Sequence, residues 1–166
     1  MNIFYLDQCP RKAARMHCDK HVVKMILEYA QLLSTAHHVL DGADGAYVDK
    51  LYRVTHKNHP SAVWVRQSTL HYKYVYDMFV ELCTVYTEIY GKVHLTQTKL
   101  LHVLRHQPDG MESKQFEQPP QCMPEEFHSN DSVKSYQDYY RIAKAAILKY
   151  KSRNLPNFLQ ENLCVN

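Results

Sequence analysis

His17, His21, Lys24 and Glu28 are separated by four, three and four residues, the intervals that bring side chains onto one face of an α-helix. Two imidazoles one turn apart can offer nitrogens to a single metal ion, or they can pass protons near neutral pH. His17 and His21 lack the glutamate that completes a zincin motif, so a third ligand would have to come from Asp19, His56, His59 or a distant residue. Lys24 and Glu28 set an amine beside a carboxylate. In a partly dry cleft they are a nucleophile and an acid–base group. In water they are a helix salt bridge worth about 0.3–0.5 kcal/mol. These four residues are the catalytic candidates.

The element that carries them reads as one long helix, His17 to Leu40, entered from about Arg11 after Pro10. At about 100° per residue, His17, His21, Lys24, Glu28, Gln31 and Thr35 share an arc roughly 80° wide, while Val22, Val23, Met25, Ile26, Leu27, Tyr29, Leu32 and Leu33 cover the rest. A narrow polar stripe on so apolar a rod must find partners or line a cleft. Gly42 ends the helix, and a short helix is expected within Ala46 to Val54. Asn58 or His59 ahead of Pro60 starts a second long helix, Ser61 to about Tyr90, buried through Trp64, Tyr72, Val75, Phe79, Leu82, Val85 and Ile89 and stopped by Gly91. Thr96 caps a shorter helix. Arg105 to Ser129 is a long, proline-rich, acidic loop, a wall or lid. Ser129 or Asp131 caps a third long helix reaching about Lys151, with Pro156 and Phe158-Leu159 as a tail that docks back. The expectation is an all-α, single-domain bundle over 1–166, three long helices plus short ones, with Met1 to Asp7 as an extended segment.

A chain of 166 residues, 45% hydrophobic and 22% charged, is long enough to bury a core and too apolar to be disordered. Four glycines disfavour a turn-rich β fold. Five cysteines, an odd number without CxxC spacing, read as reduced thiols and point to the cytoplasm. No leader segment and no membrane-spanning run is evident. The net charge of +3 hides an uneven distribution: Lys134 to Arg153 is basic and tyrosine-rich, which suits a polyanion. His59 and Arg66 at the start of the second helix, and Tyr140, Arg141 and Lys144 in the last, are the candidate phosphate grips. P-loop, GxGxxG, GxSxG and kinase signatures are absent, which disfavours mononucleotide kinase, Rossmann and α/β-hydrolase chemistry.

The opening MNIFYLD followed by HCDKHVVKMILEYAQLLSTAHHVLDG resembles small uncharacterised proteins of tailed phages. More remotely, the extended N-terminus, the histidine-bearing first helix and the segment HPSAVWVRQSTLHYKYVYDMFVELCTVYTEIYGK resemble the phage pyrimidine-dimer DNA glycosylases of the endonuclease V type. That likeness implies attack on the sugar by an N-terminal amine and a glutamate in the first helix. This sequence departs from the pattern, since bulky Asn2 predicts retention of Met1, and Glu28 stands nearer the helix middle. The leading expectation is therefore a phage-encoded enzyme, in the host cytoplasm, acting on a nucleotide or DNA at an N-glycosidic bond and needing no cofactor. The rivals are a non-catalytic nucleotide- or protein-binding module that counteracts the host, and a metal-dependent phosphoesterase built on His17 and His21. Oligomeric state is not legible.

Overall fold

The computed structural model describes residues 1–160, and its regular structure is entirely helical. Seven α-helices follow in order: α1 (Pro10–Arg15), α2 (Asp19–Leu40), α3 (Pro60–Val65), α4 (Thr69–Tyr90), α5 (Leu95–Leu100), α6 (Ser132–Ala143) and α7 (Asn157–Gln160). The three long ones are α2, α4 and α6. α2 packs along α4, α1 closes one side of α4, and α3 and α5 fill against α2. Among the described residues no helix is long and apolar enough to cross a membrane.

Several boundaries depart from the sequence reading. The first helix is broken: Met16 to Cys18 separate α1 from α2, so His17 lies on the connection and not on the helical stripe. Periodicity carried through because the bend keeps His17 facing the core. The second helix is broken at Arg66 to Ser68, where the Ser68 side chain accepts from the Leu70 N–H and restarts the chain as α4. The last helix stops at Ala143 and continues only as a 3-10 turn at Ala145–Ile147, with Ala143 and Ala146 exposed, and Tyr140 lies on the buried face of α6 with Tyr136. The short helix of Ala46 to Val54 is likewise only a 3-10 turn at Val48–Lys50. α5 is capped by His94, one position before its first residue, with Thr96 supplying the N–H that His94 accepts. Gly91 does end α4, in the left-handed region at φ 63°.

Residues 2–6 form an extended arm with no strand partner, yet Ile3, Phe4, Tyr5 and Leu6 are all buried. Buried backbone must be paired, and side chains do it here. Tyr29 Oη accepts from the Phe4 N–H, Gln137 Nε2 donates to the Leu6 carbonyl, and the Tyr74 hydroxyl donates to the Asp7 carbonyl at 2.8 Å. Elsewhere the same device recurs. The hydroxyls of Tyr72, Tyr76, Tyr136 and Tyr150 donate to carbonyls of Leu104, Leu101, Pro120 and Met16. Irregular chain is thus pinned to the helices by phenols. Residues 105–129, with a single 3-10 turn at Glu125–Phe127, lie along the bundle as an extended wall. Ser68 Oγ, His71 and Trp64 bond its Lys114 and Glu117 backbone, and Phe158 of the tail packs back on the core. Cys9, Cys18, Cys83 and Cys122 are free thiols, while Cys164 lies outside the described residues.

Candidate functional site

The polar stripe divides. His17 is fully buried beside the break between α1 and α2. Its Nδ1–H donates to the Ala13 carbonyl at 2.8 Å, and its Nε2 accepts from the Tyr29 hydroxyl at 2.9 Å. Burial drives its pKa down to about 4, against the opposing pull of the Ala13 hydrogen bond. With both ring nitrogens committed, His17 is a neutral structural member and not a catalytic group. Tyr29→Phe tests this. It leaves the Phe4 N–H and His17 Nε2 without partners in the core, so a loss of about 2–4 kcal/mol in a urea titration is expected, at about 1–3 kcal/mol for each orphaned group. A loss below about 1 kcal/mol would show that the network is not formed.

His21, in the first turn of α2, stacks on Phe4 with ring centroids 4.5 Å apart. Its Nδ1 lies 2.8 Å from Tyr140 Oη, which also accepts from the Cys18 N–H at 2.9 Å. This corrects the placing of Tyr140 among the phosphate grips. It is 0% exposed, and its hydroxyl joins the last turns of α6 to the start of α2. Burial, followed by the charges of His17, Lys144, Lys24 and Lys20, pulls the His21 pKa down to about 3. His21 is therefore a neutral imidazole whose Nε2 has no hydrogen-bond partner among the described residues, at the centre of three lysines.

Lys24 and Glu28 point away from the core. Their Nζ and Oε1 are 3.1 Å apart, with the lysine side chain 63% exposed and the carboxylate 16% exposed. The amine is hydrated and suits an electrostatic role better than a nucleophilic one; the carboxylate is sheltered. Of the remaining stripe, Gln31 is half-buried, and Thr35 is turned inward to the Thr55 backbone.

His59 caps α3, accepting the Ser61 N–H on Nδ1 at 3.2 Å, which leaves its ring proton on Nε2. Burial lowers its pKa; the positive charges of the Met1 α-amino group and His56 add to this, and Glu28 opposes them. The charges of Glu28 and of the arm's first residue thus act at His59 across the fold, which nothing in the local spacing of the sequence announced. His59 opens on a cleft of about 500 Å³ walled by Pro120 to Pro124 and Tyr139. Lys144 lies over the Tyr139 ring at 4.7 Å from its centroid. So His59, Tyr139 and Lys144 share one surface, while Lys24 and Glu28 pair on α2. Arg141 is paired with Asp138, and Arg66 donates to the Lys57 carbonyl at 2.6 Å. Neither is seen to join that surface.

Of the tyrosines in the basic segment Lys134 to Arg153, Tyr139 is the one that borders the cleft, half-buried, while Tyr136 and Tyr140 are in the core. Among the described residues no three His, Cys, Asp or Glu side chains converge to hold a metal ion, and with His17 closed the histidine pair cannot chelate one. In comparison with known proteins, no family model, no curated sequence and no solved structure matches the chain.

Proposed function

We propose that this protein acts on nucleic acid as a hydrolase of an N-glycosidic bond, in the setting that the resemblance implies, the cytoplasm of a phage-infected cell. The observation that carries the reading is the sheltered Glu28 carboxylate, held by Lys24 at 3.1 Å and near enough to His59 for its charge to act there. Cleaving a glycosidic bond builds positive charge on the sugar, and a carboxylate beside C1′ stabilises it and takes the proton from the entering water. The base departs with the bonding electrons; the water oxygen takes its place on C1′. Lys24 anchors Glu28, while Lys20, Lys144 and the Nε2–H of His21 supply donors for backbone phosphates.

Incubation with undamaged, uracil-containing and ultraviolet-irradiated DNA, with free bases read by mass spectrometry, tests the proposal. Release of a base above the no-enzyme control is expected from at least one of them. The openness of the site and the exposure of Lys24 favour a second reading, a module that binds a nucleotide or strand and returns it intact. Binding without any released base would decide for that module.

A further inference from the structure

Within the nucleic-acid reading just given, on which this step rests, we infer that the cleft at His59 and Tyr139 holds one unpaired nucleotide of a DNA strand. Its base lies between the prolines and Tyr139, and its phosphate sits toward Lys144. The cleft is larger than those at His37 and at Pro10, and about 500 Å³ is ample for a nucleobase with its sugar. Its walls are flat and weakly hydrated: Pro60, Pro120, Met123 and Pro124 face it with Tyr139. Such surfaces hold the face of a ring and cannot read a solvated phosphate.

Polar groups are few and placed at one side. The cap on α3 fixes His59 as an Nε2–H donor, suited to a base carbonyl. Lys144 lies over the Tyr139 ring, 4.7 Å from its centroid, and so brings a cation to the edge of the cleft; it belongs to the group of lysines around His21. The positive charge of Met1, felt at His59, has the same sign. Other cavities lack this combination. That at His37 carries the carboxylates of Asp41 and Asp109, which repel a phosphate; that at Pro10 and Phe116 pairs its only lysine, Lys73, with Asp77 at 2.7 Å. A duplex buries its base faces in the stack, so a site of this shape prefers a strand whose bases are free.

Fluorescence anisotropy with a labelled oligo(dT) octamer, against the same length of dT·dA duplex, tests the inference in binding alone. A strand preference of at least about tenfold is expected, and Tyr139→Ala should weaken single-strand binding about 5- to 100-fold, the range for losing one stacked base. Tyr139→Phe keeps the ring and should bind within about twofold of the parent, which separates a lost stacking surface from a lost fold. Lys144→Ala should flatten the salt dependence by about one phosphate contact. Equal affinity for strand and duplex, no binding to either, or Tyr139→Ala binding like the parent while Tyr139→Phe does too, overturns it. Strand binding with no base release in the earlier assay leaves this inference standing and removes the hydrolase.

Discussion

Glu28→Gln is expected to lower base release by about 10²–10⁴-fold while leaving DNA binding and folding nearly unchanged, the range for removing a positioned acid–base carboxylate. Glutamine keeps the shape and one oxygen but carries no charge and accepts no proton, so it can neither offset the cationic sugar nor activate the water. The structural cost is small, because the bond lost is an ion pair to a largely solvent-exposed Lys24 ammonium, worth at most about 1 kcal/mol. A Lys24→Met variant should show a milder loss, since it leaves the carboxylate in place. Single-turnover rates on the substrate identified in the base-release assay provide the measurement. A Glu28→Gln protein that retains full rate would remove Glu28 from the chemistry, and with it the argument for an N-glycosidic hydrolase.

A second large effect is expected in mild acid. His17 and His21 titrate at about 4 and about 3 in the folded chain and near 6.5 when unfolded. Between those limits the unfolded chain binds two protons that the folded chain refuses. Stability is therefore complete above pH 6.5 and falls as the pH drops through the unfolded value, by about 3–4 kcal/mol between pH 7 and 5 for the two residues together. Domain stabilities are typically about 5–15 kcal/mol, so this loss takes a large share. His59, His71 and His94 are also lowered by burial and act in the same direction. Urea titrations at half-unit pH steps would show it. His21→Gln, which deletes one titrating ring, should remove about half of the slope; an unchanged slope would mean that His21 is not held neutral.

The elements that could be read in the sequence were those with long, uninterrupted periodicity. α2 and α4 follow from their apolar spacing, Gly91 from its place after Tyr90, and Asp131 from its place before α6, where it accepts from the N–H groups of Val133 and Lys134. The breaks at Met16 to Cys18 and at Arg66 to Ser68 were hidden because neither contains glycine or proline; what ends the helix there is tertiary packing around His17 and the Ser68 cap. Of the candidate site, Lys24 and Glu28 were legible as a pair because their contact is local. The partners of His21 were not, since Tyr140 is 119 residues away, and an imidazole on a polar stripe looks alike whether it meets water or a phenol. Tyr140, read as a phosphate grip, is buried for a reason equally hidden from composition. Tyr136 and Tyr140, one turn apart, share the buried face of α6 and leave Tyr139 at its edge, and which face docks is decided by tertiary packing.

The phenol clasps that hold the arm and the wall also set a ceiling in alkali. Tyr29, Tyr72, Tyr74, Tyr136 and Tyr140 all have pKa values raised above 10 by burial, so each keeps its proton in the folded chain where an unfolded one would give it up. Above pH 10 that difference favours unfolding, by the same linkage that operates through the imidazoles in acid but with the opposite sign. The native range is thereby bounded by two residue types, histidine below and tyrosine above, and a far-ultraviolet melting temperature followed from pH 4 to 12 should form a plateau between roughly 6.5 and 10 with a fall on each side.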